Sequence, residues 1–174
     1  MRDNRAFFDT NVLVYAFAVG DPRTEIAEAL LAAGGVVGVQ TLNEFVAVAV
    51  RKLAMPWKEL LEALKAIRVL CPAPVPVTIR THDAALRLAG RYRYHIYDAL
   101  VIAAAIEASC STLYSEDLRD GQQIEGLTIR NPFQRPCASS ALGKFSPFQL
   151  ADDSAHFRRD RGRLVRAVVE KHPS

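Results

Sequence analysis

The sequence predicts an α/β fold in which helices cover both faces of a central, mostly parallel sheet. One pattern along the chain supports this prediction. Short apolar runs alternate with longer stretches of helical periodicity. Such alternation is typical of strand–helix–strand units rather than of an all-helical or all-β protein. The 174 residues suffice for one domain, or for one domain with a tail.

The first part of the chain is predicted to contain two strands with two helices between them. Residues 6–8 form an apolar run that predicts the first strand, and the apolar residues 12–19 continue as a helix after a polar turn. Residues 24–33 have helical periodicity and are closed by Gly34 and its neighbouring glycine. Residues 36–39 then predict the second strand.

Three helices follow in the middle of the chain. Thr41 opens a helix that runs to about residue 54, and Pro56 suits the first position of the next helix, to about residue 69. The proline-rich residues 71–76 predict a loop. Residues 76–79 are a candidate third strand, and residues 81–89 a further helix.

The last third of the predicted domain contains an almost wholly apolar helix at residues 97–109. Strands are predicted at residues 111–114 and 127–130. The composition changes after Phe133, which we take as the boundary between a domain of residues 1–133 and a tail of residues 134–174.

The positive charge of the chain is concentrated in the predicted tail. Residues 1–133 carry 14 Lys and Arg against 15 Asp and Glu, whereas residues 134–174 carry 8 against 4. The domain is therefore not a strongly basic nucleic-acid binder, and any attraction for phosphate must be local, come from metal ions or come from the tail. Within the tail, residues 134–147 read as a linker, and residues 157–169 as a basic, amphipathic candidate helix that Gly162 weakens.

The cysteines and apolar runs indicate a cytoplasmic protein without a membrane segment. Cys71, Cys110 and Cys137 form no CxxC pair and have no histidine at ligand spacing, which disfavours a zinc module and suggests a reducing compartment. We expect them to be buried as small apolar side chains. No apolar run reaches the length of a membrane span, and Asp9 interrupts any signal-peptide core.

Four acidic residues stand where strands end or helices begin. Asp9 follows the first strand, Glu44 lies in the first turn of the helix after the second strand, Asp98 opens the apolar helix and Asp117 follows the strand at 111–114. Ligands bind at the carboxyl ends of the strands in such sheets, so a doubly wound topology could gather the four side chains at one edge.

Each acid also has a purely structural interpretation. Asp9 fits a turn, Glu44 completes a capping box that starts at Thr41, Asp98 suits the positive end of its helix dipole, and Asp117 lies in a polar loop. Asp98 fits this interpretation least well, because the helix that it opens is apolar on every side and would draw the carboxylate inward.

Converging carboxylates would require cations. Two of them about 5 Å apart repel by roughly 3 kcal/mol at an effective dielectric constant of about 20. A site of oxygen ligands without His or Cys suits Mg²⁺ or Mn²⁺, as one or two ions. Two such ions can activate a water and stabilise the leaving oxygen in phosphodiester hydrolysis.

The sequences around these acids resemble the motifs of the PIN domain family. Four motifs agree in order and spacing from about residue 5 to residue 133. They are residues 7–13, Asn43-Glu44, residues 97–105, and residues 113–118 with Gly121 and Asn131-Pro132-Phe133. Within the family, the chain is most similar to the VapC-like toxins of bacterial and archaeal toxin–antitoxin pairs.

The resemblance implies a three-layer α/β/α fold and a Mg²⁺- or Mn²⁺-dependent endoribonuclease. It also implies a homodimer that is silenced by a VapB-type antitoxin. Asp9 and Asp98 would be the core metal ligands, with Glu44 and Asp117 completing the site. Side chains that match supporting positions are Thr10, Asn11 and Ser115. The fourth motif contains three acids, so Glu116 or Asp120 could share or replace the role of Asp117.

Other functions remain open from the sequence. Arg91 and Arg93, among tyrosines just before Asp98, are candidate RNA contacts, although they also fit a solvated helix end. A PIN-like module that binds RNA or protein without cutting is the main alternative. A phosphatase with an aspartyl nucleophile is disfavoured, because a second Asp is expected two residues after Asp9 and the chain has Asn11 there.

Overall fold

The computed structural model describes residues 5–134, and the structural statements below concern that part of the chain. Cys137 and the candidate helix at residues 157–169 lie outside it, as does all of the predicted tail after Gln134. The described elements, in chain order, are β1 Ala6–Phe8, α1 Thr10–Ala16, α2 Thr24–Ala32, α3 Val39–Arg51, α4 Trp57–Leu70, α5 Ile79–Tyr92, α6 Ile96–Glu107, β2 Thr112–Tyr114, β3 Gln123–Ile124 and β4 Leu127–Arg130.

The sheet has the strand order β1-β2-β4-β3. β2 pairs in parallel with both β1 and β4, and the short β3 pairs antiparallel with β4. Beyond β1, two isolated parallel bridges, Phe7 with Val36 and Gly38 with Val75, extend the pairing by two further segments. The predicted α/β class with a mostly parallel sheet is therefore confirmed.

Helices pack on both faces of the sheet and form two apolar cores. Neighbouring residues of a strand point to opposite faces, so Phe7 packs into a core with α5 and α6, whereas Phe8 packs into a second core with α1 to α4. The predicted apolar helix is α6, which is buried without interruption from Ala99 to Ala105. Three layers result, with the sheet in the middle.

Close packing against β1 requires a glycine before the first bridge. A Cβ atom at Gly35 would clash with the ring of Phe8 and would lie 2.9 Å from the carbonyl oxygen of Ala6. The backbone N–H of Val36 donates to the carbonyl oxygen of Ala6, and the backbone N–H of Phe8 donates to the carbonyl oxygen of Val36, each at 2.9 Å. A side chain at Gly35 would therefore push this segment away from β1.

Two strand predictions were wrong in detail. Residues 36–39 make only bridges, because the chain turns at Gly38, the N-cap residue, into α3. Residues 76–79 form no strand, because Thr78 caps α5 in a reciprocal capping box with Thr81. The capping box predicted from Thr41 to Glu44 is also wrong, since α3 begins at Val39 and places Glu44 in its second turn.

The remaining composition-based expectations can be compared with the described residues. Cys71 and Cys110 are buried free thiols, as predicted, and burial raises the pKa of Cys71 to about 12. Among residues 5–134, no helix has the length and apolar character needed to span a bilayer.

Candidate active site

Asp9 lies at the junction of β1 and α1. It is the N-cap residue of α1, where its Oδ1 accepts a hydrogen bond of 2.7 Å from the backbone N–H of Thr10. Its side chain is buried, with 7% of the residue exposed. The structural reading as a cap and the functional reading as a site residue are therefore compatible at this position.

Ser115 is the neighbour of Asp9 on the adjacent strand. Phe8 pairs with Tyr114 in the parallel register, so Asp9 and Ser115 leave their strands side by side. The hydroxyl of Ser115 donates a hydrogen bond of 2.6 Å to Asp9 Oδ2 and accepts two longer ones from the backbone N–H groups of Asp117 and Leu118. The topology thus brings two chain segments 106 residues apart into direct contact.

Glu44 reaches the same strand end from α3. Its Oε2 accepts a hydrogen bond of 2.8 Å from the hydroxyl of Thr10, and its Oε1 accepts one of 3.0 Å from Gln40 Nε2. Because Thr10 directly follows Asp9, its hydrogen bond to Glu44 makes the carboxylates of Glu44 and Asp9 neighbours.

Asp98 occupies the first turn of α6 and is partly buried. Burial is the main cause that raises the pKa of its carboxyl, His95 opposes the rise, and the charges of Asp117 and Glu44 add to it. Asp98 is therefore close enough to Asp117 and Glu44 for their charges to act on it.

Of the three acids in the fourth motif, Asp117 faces the site. Its Oδ2 accepts a hydrogen bond of 3.2 Å from Asn11 Nδ2 on α1. Glu116 instead binds Arg23 and the hydroxyl of Tyr15. Asp120 accepts a 2.9 Å hydrogen bond from the backbone N–H of Asn131, outside the group.

Electrostatics links all four candidate acids. Burial raises the pKa of Asp9 to about 6; hydrogen bonds from Ser115 and Thr10 lower it, and the charges of Asp117 and Glu44 raise it further. The same two charges act on Asp98. Asp9 and Asp98 therefore share one electrostatic environment at one edge of the sheet.

The donor set fits hard divalent cations. Every candidate ligand is an oxygen, and the Oδ1 atom of Asn11 is buried beside Asp117 without a hydrogen-bond partner. Within residues 5–134, no three His, Cys, Asp or Glu side chains are placed so that they could hold an ion by themselves. An ion would therefore have to retain water ligands or draw the carboxylates inward, and Mg²⁺ usually keeps several waters in protein sites.

The candidate RNA contacts lie next to this edge. Arg91 and Arg93 are exposed, at the end of α5 and at its left-handed C-cap, and the chain then enters α6 within three residues. Arg91 packs its guanidinium 5.3 Å from the ring centroid of Tyr92. Tyr97 is 52% exposed beside Asp98, so its ring is available to a base.

Sequence reasoning missed two side chains that shape the site. Gln40 orients Glu44, and its spacing of four residues on one helix could have indicated this. Arg23 binds Glu116 across 93 residues of sequence, which no local pattern could have shown.

Comparisons with known proteins agree with this architecture. The family model for the PIN domain matches residues 6–122. Among solved structures, VapC20 of Mycobacterium tuberculosis, described as a toxin that cleaves the sarcin–ricin loop, is similar with a TM-score of 0.52 and 20% sequence identity; the match covers 64% of this chain and 91% of that one. No curated protein matches the chain in sequence. Since the family match spans well over half of the chain and the fold agrees, this protein belongs to the PIN domain family.

Proposed function

We propose that the protein is a metal-dependent endoribonuclease of the VapC type. The observation that carries the proposal is the shared environment of Asp9, Glu44, Asp98 and Asp117, which come from four separate chain segments. Membership of the PIN domain family and a fold similar to that of a VapC toxin support it. A purely structural role would not explain why a fold collects four acids that repel one another.

The four carboxylates would hold one or two Mg²⁺ or Mn²⁺ ions. When bound, these ions supply charge that activates a water and stabilises the leaving oxygen of a phosphodiester. The protein's own side chains fix the acids: Ser115 orients Asp9, Thr10 orients Glu44, and Asn11 orients Asp117. His95 lies near Asp98 and opposes the rise in the pKa of that carboxyl.

RNA would approach along the exposed end of α5. Arg91 and Arg93 offer phosphate contacts, and Tyr97 offers a ring for stacking at the entrance to the carboxylate group. A cognate protein antitoxin and assembly into a homodimer complete the proposal. The body of the chain has no strong basic charge to hold RNA by itself, which agrees with a site that depends on cations.

Cleavage of defined RNA by purified full-length protein tests the proposal. We expect cleavage with Mg²⁺ or Mn²⁺, loss of cleavage with chelator, and loss in Asp9→Asn and Asp98→Asn variants. Asp83→Asn, at an exposed position on α5, is the matched control and should cleave normally. Cleavage that persists in both site variants with chelator present would refute the metal mechanism.

The rival function is a PIN-like module that binds RNA or protein without cutting it. Metal binding in calorimetry without cleavage of any RNA pool would favour this rival. Inducible expression of the wild type and Asp98→Asn, followed by sequencing of new RNA 5′ ends, would distinguish the two functions in cells and identify the substrate.

A further inference from the structure

Four polar side chains beside the carboxylate group form what we call the Arg23 cluster: Tyr15, Asp21, Arg23 and Glu116. Asp21 fixes Arg23 with two parallel bonds, 2.8 Å from Nε to Oδ1 and 2.7 Å from Nη2 to Oδ2. The guanidinium carbon lies 3.7 Å from the centroid of the Tyr15 ring. This two-point geometry leaves the Arg23 side chain little freedom to rotate.

The remaining nitrogen of Arg23 is directed at Glu116. Nη1 donates to both carboxylate oxygens of Glu116, at 2.9 and 3.0 Å, and to the hydroxyl of Tyr15 at 2.6 Å. The Tyr15 hydroxyl in turn donates to Glu116 Oε2. Both oxygens of Glu116 are therefore engaged within the Arg23 cluster.

The Arg23 cluster and the carboxylate group share helix α1. Tyr15 and Asn11 are four residues apart and lie on the same side of α1. Tyr15 binds Glu116, while Asn11 binds the next residue, Asp117, through a single 3.2 Å bond. Because Glu116 and Asp117 are adjacent in the chain, the bonds that fix Glu116 also restrict the backbone of Asp117, whose N–H group donates to Ser115. The Asp117 side chain is exposed and accepts the 3.2 Å bond from Asn11.

Ion pairing separates Glu116 from the acids of the candidate site. Arg23 pairs with Glu116, with 2.9 Å between Nη1 and Glu116 Oε1. Because Arg23 already engages both oxygens of this carboxylate, Glu116 is less available to a cation than the exposed Asp117. Asp21, which pairs with Arg23 at 2.7 Å, keeps the guanidinium in place.

We infer that Arg23 is a positioning residue that keeps Glu116 away from the metal ions and thereby makes Asp117 the fourth carboxylate of the site. This inference rests on the proposed function, since it assumes that the acids bind cations. It resolves the choice among the three acids of the fourth motif in favour of Asp117.

Titration of the full-length protein with Mn²⁺ alone, followed by calorimetry, tests the inference without RNA. Replacement of the partners that orient metal ligands typically weakens metal affinity by about 10- to 100-fold. We therefore expect Arg23→Met to weaken Mn²⁺ binding about 10-fold, and Asp117→Asn to weaken it at least as much. Glu116→Gln, which keeps the bond from Tyr15, should weaken it by less than about threefold. Arg68→Met, at an exposed position on α4, is the matched control.

The decisive measurement is a double-mutant cycle. If Arg23 acts through Asp117, Arg23→Met adds almost nothing to the loss already caused by Asp117→Asn. Equal losses in both backgrounds, no loss in Arg23→Met, or a loss in Glu116→Gln as large as that in Asp117→Asn would each overturn the inference. If Arg23→Met does not fold, Arg23→Lys, which keeps the charge without the planar fork, replaces it in the same cycle.

Cleavage assays add a readout that a fold defect would not produce. Arg23→Met should raise the Mn²⁺ concentration for half-maximal cleavage by about 10-fold, and excess Mn²⁺ should restore most of the rate. A rate that excess Mn²⁺ does not restore would argue against positioning. Wild-type protein that binds no Mn²⁺ would overturn the proposed function together with this inference, whereas an unaltered Arg23→Met would overturn this inference alone.

Discussion

Replacement of Asp9 by Asn should remove a pH-dependent loss of stability from the metal-free protein. Asp9 is buried, and its pKa in the folded protein is about 6, against 3.8 in the absence of the fold. The folded state therefore binds the proton more tightly than the unfolded state does. Below about pH 4, Asp9 is protonated in both the folded and the unfolded state, and the protein has its full stability. The free energy of unfolding falls as the pH rises through about 6, where Asp9 ionises in the folded protein.

The magnitude follows from the size of this shift. A difference of about two pKa units corresponds to about 3 kcal/mol of unfolding free energy that ionised Asp9 costs above about pH 7. About 2 kcal/mol of this cost should develop between about pH 4.5 and about pH 7.5. Asn cannot ionise, so the Asp9→Asn variant should lack this part of the pH dependence. Its altered hydrogen bonds to Thr10 and Ser115 contribute an offset that does not change with pH.

Urea unfolding followed by circular dichroism, with chelator and at both pH values, measures the effect. The stability of Asp9→Asn relative to the wild type should rise by about 2 kcal/mol from the lower to the higher pH. A rise below about 0.5 kcal/mol, or a change of the opposite sign, would refute the reasoning from burial. Addition of Mn²⁺ at the higher pH should stabilise the wild type more than the variant, because a bound cation offsets the same charge.

Three further predictions concern packing, the strand junction and RNA. Gly35→Ala should destabilise the protein by about 2 kcal/mol, because the added Cβ clashes with β1. Gly90→Ala on α5, where the added Cβ meets nothing within 4 Å, should stabilise the protein by up to about 1 kcal/mol. Urea unfolding measures both changes. Ser115→Ala should cost about 2 kcal/mol in the same assay and weaken Mn²⁺ binding in calorimetry, since it removes the donor to a buried carboxylate. Replacing Arg91 and Arg93 together by Gln should reduce the slope of log affinity for single-stranded RNA against log salt by about 1.4, measured by fluorescence anisotropy with chelator; an unchanged slope would remove both arginines from the interface.

The sequence predicts the parts of the fold that local physics determines. The apolar run at α6 indicated a helix buried on all sides, and it is buried from Ala99 to Ala105. Asp9 and Ser115 could be placed near each other because both directly follow strands, and parallel strands end at a common edge. Local patterns misplaced the start of α3, because its N-cap residue is Gly38 rather than Thr41.

Features that depend on distant partners could not be read from the sequence. Glu116 and Asp117 are adjacent acids in one loop, and nothing local distinguishes them. Their different surroundings depend on Arg23 and Asn11, which lie 93 and 106 residues away. The strand β3 escaped prediction because its two residues are too few to establish a periodicity. In each case the missing information is tertiary.

The hydrogen bonds of Ser115 restrict what its hydroxyl can do chemically. Two loop amides donate to its oxygen, so both lone pairs are occupied and the single proton is directed to Asp9. A hydroxyl bound in this way is a poor nucleophile towards phosphorus, because its electron pairs are already shared with the loop. It also links the position of the Asp117 backbone to the ionisation of Asp9, so that proton loss at the end of β1 would be felt as a change of geometry at the end of β2.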